Sequence, residues 1–271
     1  MKRALLLLVL SCQLHAHESY IEIFDRCNED NLNPDQGKLR NQWAAKCFPV
    51  FDANYYSNRL PLRYALVKSR SSNSYKGPTD VNAPCGDWQM IAVCLASCFT
   101  ADQQVLFGTG YIPIERALND LVTRIVTLKP ESDLEHLSFG IDRVSTYTRT
   151  REAALEDVRV FDMVSGGKLS VTTGHPMLLA TGVMTTAAQV KVGDFLVKMD
   201  GRYDEIARIT DIQVFDRVYN VAPVSGNPVA NIIVAQGYLT GSAAYQYLEE
   251  FSKLLNRKLL RSSIALPPPG S

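Results

Sequence analysis

Charge of one sign, long apolar runs and histidine are all scarce in this sequence, and each shortage removes a class of function. Lys plus Arg number 28 and Asp plus Glu also number 28, so no global field draws the chain to nucleic acid or to an anionic membrane. There is no basic stripe interleaved with aromatics and no glycine-rich loop to cradle phosphates. No apolar run is long enough to span a bilayer. With 4 histidines and 6 cysteines in 271 residues, neither a metal nor an organic cofactor is implied. What is present is 46% apolar, enough to bury one good core or two small ones.

The first residues read as a targeting segment. Lys2-Arg3 supplies a basic start, Ala4 to Leu10 a short apolar stretch, and Leu14-His15-Ala16 a cleavage site, giving a signal peptide over residues 1–16. The same stretch runs into Leu10-Ser11-Cys12, which resembles a bacterial lipoprotein signal with Cys12 as the lipidated first residue. Both readings expect a secreted or cell-envelope protein, outside the reducing cytosol.

That setting turns the cysteines into a parity argument. Once Cys12 is removed or lipidated, Cys27, Cys47, Cys85, Cys94 and Cys98 remain. In an oxidising compartment an even set pairs, and the odd one flags a reactive thiol. Cys27, Cys47, Cys85 and Cys94 are the disulfide candidates, in any of three connectivities. Cys98 is the candidate free thiol, although Cys94 lies near enough to compete for that role.

Composition divides the chain. Residues 17–97 read as a small secreted module, with aromatics at Trp43, Phe48, Phe51, Tyr55-Tyr56 and Trp88 and turn-rich stretches at 31–35 and 69–78. A module of that size leans on disulfides, and it has the character of a structural or recognition unit. From Cys98 onward valine, isoleucine and threonine rise. Short alternating runs such as Gln104–Phe107, Val158–Met163, Phe195–Met199 and Ile206–Phe215 are punctuated by glycine turns, which predicts a mainly β domain over 98–242. A faint repeat relates Ile114–Val122 to Ala188–Leu196, as a duplicated β half-domain would. After Gly241, residues Ala244, Leu248, Phe251, Leu255 and Leu259 follow helical spacing. Residues 243–271 are thus expected to be a short helix and a proline-rich tail.

Breaking an amide from within needs a nucleophile beside the scissile carbonyl, a group that distorts or protonates the leaving nitrogen, and donors for the oxyanion. A cysteine can attack the carbonyl of the residue before it through a five-membered ring, leaving a thioester and a free amine. The proton must be handed on as the thiol attacks, and near neutral pH a histidine suits that task. Beyond the signal region the choices are His17, His136 and His175. His17 is terminal and His136 sits in a polar stretch. His175 alone follows an expected strand, with Thr172 three residues before it to hydrogen-bond a strained amide.

Together these residues resemble a known family. Cys98-Phe99 with Val105 seven positions on, the Gly110 to Ile114-Glu115 segment, Thr172-x-x-His175 and Val192-Gly193-Asp194 are similar to the Hint module. That module is shared by inteins, bacterial intein-like domains and the C-terminal half of hedgehog proteins. Val218–Val221 and Asn231–Leu239 resemble its closing strands. The resemblance implies a pseudo-twofold β horseshoe. It also implies that Cys98 is the nucleophile, that Thr172 and His175 activate the Ser97–Cys98 bond, and that Gly193-Asp194 is an architectural turn.

The departures are equally informative. Inteins close with a histidine-asparagine pair, where this chain reads Thr240-Gly241-Ser242, so splicing is not expected. Ser242 stands where hedgehog proteins carry a cysteine. The hedgehog aspartate upstream of Thr-x-x-His has no counterpart here except Glu152, the candidate general base. The sequence therefore predicts a chain that acts on itself, cutting before Cys98, with a thioester resolved by water, a small thiol or amine, or a lipid hydroxyl. Two other readings stand beside it: a processing-dead Hint fold kept as a secreted interaction module, and a trans-acting cysteine hydrolase.

Overall fold

The computed structural model describes residues 22–26, 34–49, 51, 53–57, 64–72, 74, 77–94, 98–150, 153–247 and 253–261. Cys12, Cys27, Ser97 and Glu152, with the signal segment and His17, lie outside the described residues. The chain opens with β1 (Glu22–Arg26), α1 (Pro34–Cys47), α2 (Ala53–Ser57), β2 (Tyr64–Ser69) and β3 (Trp88–Cys94). β2 and β3 form an antiparallel ribbon of their own. α1 turns one face inward, and Trp43 and Ala44 join Phe51, Ala65 and Val67 in a small apolar cluster. That face also carries Arg40 and Asn41, which buried polar groups must justify by bonding. Asn41 does so by accepting from Ala65 N at 3.0 Å and donating to Ser57 Oγ at 3.0 Å. Arg40 donates to the carbonyls of Pro78 at 2.5 Å and of Gly77. The indole N–H of Trp43 donates to Ala83 O at 3.1 Å. A disulfide joins Cys47 at the end of α1 to Cys85, with Cα atoms 5.3 Å apart, and so ties the helix to the loop before β3. Of the other two disulfide candidates, Cys27 is not described, and Cys94 ends β3.

The remaining strands are β4 (Phe99–Thr100), β5 (Gln104–Phe107), β6 (Gly110–Pro113), β7 (Arg124–Leu128), β8 (Phe139–Thr150), β9 (Ala154–Met163), β10 (Lys168–Thr172), β11 (Pro176–Leu178), β12 (Val183–Thr186), β13 (Phe195–Val197), β14 (Tyr203–Asp216), β15 (Val218–Pro223), β16 (Ile232–Ala235), β17 (Tyr238–Gly241) and β18 (Arg257–Lys258). Two helices interrupt them, α3 (Ile114–Asn119) and α4 (Ala244–Tyr247). The mainly β expectation holds. The strands join into one continuous 16-stranded sheet system that runs β13-β14-β9-β10-β4-β15-β8-β7-β5-β16-β17-β11-β12-β18, with β6 beside β5 and β1 beside β8. β1 precedes Cys98 in sequence, yet it lies parallel to β8, Glu22 opposite Thr146 and Arg26 opposite Thr150.

The faint repeat has a physical form. The β5–β6 hairpin leads into α3 and then into β7 and the long β8, while the β11–β12 hairpin leads into a 3-10 turn at Ala187–Gln189 and then into β13 and the long β14. Each copy is a hairpin, a helical turn, a short strand and a long strand. Phe99, Val105, Phe107, Ile114, Tyr147, Phe161, Tyr219 and Ile233 meet in the larger core. Leu178, Met184, Ile232, Val234 and Leu239 build a second one.

A helix does follow the β domain, but not as far as Leu259. Residues 253–256 form turns, Asn256 takes a positive φ of 65°, and β18 pairs with β12. The helical spacing of Leu255 and Leu259 loses to a better use of them: Leu255 and Leu260 are buried in the second core, and Leu259 packs against it. Gly182 makes this docking tight. Its φ is 78°, a Cβ there would stand 2.0 Å from Leu260 O, and its carbonyl accepts from Leu259 N at 2.7 Å and Leu260 N at 3.1 Å.

Gly182→Ala is therefore expected to cost more than the roughly 1 kcal/mol of left-handed strain alone, because the 259–260 segment must lift. Gly166→Ala is the control, since Gly166 also has a positive φ but open space around it. Urea denaturation of both variants checks this, and equal losses would mean that the segment does not dock at Gly182.

Candidate active site

β4 is two residues long and is held from both sides. Phe99 lies opposite Val171 of β10 and opposite Tyr219 of β15. Its side chain is fully buried, so the start of the β domain is fixed in the middle of the larger core. Cys98 immediately precedes it and is itself 0% exposed. Cys98 is a thiol and not half of a disulfide.

Thr172, the last residue of β10, meets Cys98 at two points. Cys98 N donates to Thr172 Oγ1 at 2.6 Å, and Thr172 N donates to Cys98 O at 2.8 Å. The nitrogen so engaged belongs to the Ser97–Cys98 amide. The chain then turns, with His175 N donating to Thr172 O at 3.0 Å. His175 is fully buried, and its ring packs on Phe99 with centroids 4.2 Å apart. The three residues singled out in the sequence, Cys98, Thr172 and His175, are thus brought into one region: the first two by hydrogen bonds, the third by that turn and by a tilted ring contact with the residue after Cys98. A hydroxyl on the amide nitrogen fixes the orientation of the peptide plane, which is the positioning part of intramolecular attack.

The loop carrying Thr172 and His175 has a support of its own. Ala187 N donates to His175 O at 2.7 Å and Ala188 N to Thr173 O at 2.8 Å. The guanidinium of Arg159 then grips the far side of that 3-10 turn, donating to the carbonyls of Ala187 and Ala188 at 3.0 Å each and of Val190 at 3.3 Å. Asp211 anchors Arg159 through Nε at 2.7 Å and a second nitrogen at 3.0 Å. The partnership follows from register, because Arg159 of β9 lies directly opposite Asp211 of β14. The Arg159 hydrogen bond and charge hold the Asp211 carboxyl below its ordinary value. Asp211 in turn raises the guanidinium's affinity for its proton.

Further residues close the frame. Gln103 is buried, and its Oε1 accepts from Ser170 N at 2.9 Å, bracing β10 next to the site. Tyr219 donates to Glu115 Oε1 at 2.8 Å, and burial, reinforced by that carboxylate, raises the phenol. Gly193 has a φ of 87°, and Asp194 Oδ2 accepts from Lys191 N at 2.8 Å, which makes that pair a turn. Ser242 donates to Asn231 Oδ1 at 2.8 Å and receives Ala244 N at 3.2 Å, a structural use. A groove of about 300 Å³ lined by Asp157, Val158, Thr173, Asp211, Ile212 and Gln213 reaches the loop between Thr172 and His175 at Thr173. No group of three or more potential metal ligands occurs among the described residues.

Arg159, Asp211 and Gln103 were not singled out in the sequence. One signal was there: Val158-Arg159-Val160 sets an arginine inside an apolar strand, and a partly buried cation demands a partner. Which carboxylate answers it depends on a pairing 52 residues away in sequence.

Arg159→Met keeps the apolar stem and removes the donors, and is expected to lower stability by about 2 kcal/mol in urea denaturation. For Asp211 the folded value is depressed, so its contribution is present above its ordinary value near 4 and fades as pH falls through the lowered one. The stability gap between wild type and Asp211→Asn should be constant above about pH 5 and close at lower pH. A gap that persists unchanged at pH 2 would contradict the latch.

No family model matches the chain, and no curated protein does. Among solved structures it is similar to the DnaB intein from Synechocystis sp. PCC 6803, at 15% identity and a TM-score of 0.43, over 54% of this chain and 98% of that one. It is also similar to the PabCDC21-1 intein, at 18% identity and a TM-score of 0.44, over 54% of this chain and 98% of that one. A third is the bacterial intein-like domain from Clostridium thermocellum, at 16% identity and a TM-score of 0.44, over 54% of this chain and 97% of that one. All three are inteins or intein-like domains.

Proposed function

We propose that this protein cuts its own chain at the Ser97–Cys98 bond. The observation that carries the reading is the two-point clamp of Cys98 by Thr172, Cys98 N to Thr172 Oγ1 at 2.6 Å and Thr172 N to Cys98 O at 2.8 Å. It fixes the one amide that a cysteine can attack through a five-membered ring, and it lies three residues before a buried histidine.

In the first step the Cys98 sulfur attacks the Ser97 carbonyl carbon. A C–S bond forms, the C–N bond breaks, and the thiol proton ends on the departing nitrogen with His175 as the carrier. Cys98 is left with a free α-amine and a thioester to Ser97. In the second step water or another external nucleophile attacks the thioester carbonyl, the C–S bond breaks and the thiol is restored. The groove beside Thr173 gives solvent an approach to the loop that carries the histidine. Thr172 positions the amide, while Arg159 and Asp211 position Thr172 and His175 through the 187–190 turn.

The process stops at cleavage. Thr240 and Ser242 occupy the closing segment, both are buried, and Ser242 is spent on Asn231. Neither residue can cyclise as an asparagine does, so no second junction is cut. The Cys47–Cys85 disulfide suits a secreted or envelope setting, in which residues 17–97 are the structural or recognition unit cut from the β domain.

A second reading, a fold that keeps these residues without cutting, draws on the complete burial of Cys98, since burial opposes thiolate formation. The same burial speaks against a hydrolase acting on added substrates.

Intact mass spectrometry in denaturant separates these readings. Under thiol, the wild type should resolve into two fragments divided before Cys98, and Cys98→Ala should stay whole. His175→Ala should slow the cut by about 100-fold or more. Thr172→Val, which loses one hydrogen bond, should slow it by about 10-fold. An uncut wild type would support the inactive fold, and a cut that persists in Cys98→Ala would reassign the nucleophile.

A further inference from the structure

The strand that begins the described chain belongs to the wrong half of a cleaved molecule. β1 precedes the Ser97–Cys98 bond in sequence, yet it pairs over all five of its residues with β8, which follows it. β8 between Thr146 and Thr150 has β15 on its other side, and β15 holds β4. The order β1-β8-β15-β4 therefore puts the N-terminal strand three positions from the strand that follows Cys98, about 14 Å at ordinary sheet spacing. A second contact crosses the same boundary, because β3 packs against α4.

We infer that the two halves stay together after the bond between them is broken, as a non-covalent two-chain particle tethered by β1. The inference rests on the reading that the chain cuts at Ser97–Cys98, although its test does not. Withdrawing β1 would strip hydrogen-bond partners from a stretch of β8 whose residues Tyr147 and Thr148 are 0% and 1% exposed. Those exposures hold with β1 in place, and its withdrawal would open a sheet edge of unpaired backbone groups, a liability that proteins cover. Adding a strand to an open edge is a recurrent way for one chain to hold another, and here the added strand is the protein's own. Cutting at 97 leaves β1, α1, β2, β3 and the Cys47–Cys85 disulfide on the same fragment. The tether and the module it anchors then remain one piece.

Retention matters once the thioester is resolved, because until then the C–S bond itself joins the halves and return to the amide is intramolecular with or without β1. After resolution the cut product is displayed on its partner.

The test makes the cut without relying on the protein's own chemistry. In Cys98→Ala, a recognition sequence for a site-specific protease is placed between Ser97 and Cys98, and the folded chain is cut with that protease. Size-exclusion chromatography in native buffer should show both fragments eluting together at the volume of the uncut chain, and separately in denaturant. Phe24→Pro removes an N–H in the middle of β1 and should release the fragment. Hydrogen exchange on the cut pair without Phe24→Pro guards against a misfolded variant: amides in Glu22–Arg26 should stay protected. Fragments that part in native buffer would overturn the inference, as would fast exchange throughout Glu22–Arg26, or a Phe24→Pro pair that still elutes together. Wild type run alongside in denaturant reports self-cleavage separately, so the two ideas fail independently.

Discussion

Everything in the β domain serves a contact between two residues 74 apart in sequence, Cys98 and Thr172. A strand of two residues has almost no pairing energy of its own. β4 keeps its place because β10 and β15 hold it from either side and because Phe99 is sealed in the larger core. If either neighbour slipped by one residue, every side chain on it would change faces. Thr172 would then point its hydroxyl away from the Cys98 amide. The register of β10 is accordingly over-determined, by five paired residues with β9 and by Gln103 on Ser170.

Support for the site thins outward in chemistry but not in number. Next to Cys98 stand a threonine hydroxyl and the phenyl ring of Phe99, against which a buried imidazole packs. One step out, backbone N–H groups of Ala187 and Ala188 hold the Thr-x-x-His loop from behind. One step further, the loop that does the holding is itself gripped by Arg159, whose charge is balanced by Asp211 at the surface. The Arg159–Asp211 pair stands where water still reaches it, the Asp211 side chain being 62% exposed. Elsewhere a buried carboxylate locks β17: burial works to raise the Asp204 carboxyl, but the hydroxyls of Ser165 and Tyr238 outweigh it and hold it below its ordinary value.

Periodicity makes much of the fold legible in the sequence. Alternating runs ended by glycine turns revealed a mainly β domain, and the faint repeat between Ile114–Val122 and Ala188–Leu196 foreshadowed two copies of hairpin, helical turn, short strand and long strand. Cysteine parity left Cys98 or Cys94 as the candidate thiol, the short roster of histidines favoured His175, and Thr172 entered as the residue three before it. What stayed hidden depends on long-range register. Nothing local in Asp211 says that it faces Arg159, and nothing in Glu22–Arg26 says that these residues pair with a strand more than a hundred positions later. The spacing of Leu255 and Leu259 predicted more helix than forms, because a strand on β12 buries the same leucines without one. Local pattern names the faces that want burial; the tertiary partner decides the conformation that buries them.

The central claim is that a thioester joins Ser97 to Cys98 in the course of the reaction. The direct measurement is mass analysis of the N-terminal fragment produced in the presence of hydroxylamine, which intercepts thioesters but not ordinary amides. The account predicts a fragment ending at Ser97 and carrying a hydroxamate, in an amount that rises with hydroxylamine and vanishes in Cys98→Ala. A fragment that ends in the free acid at every hydroxylamine concentration, or a chain that stays whole, would contradict it.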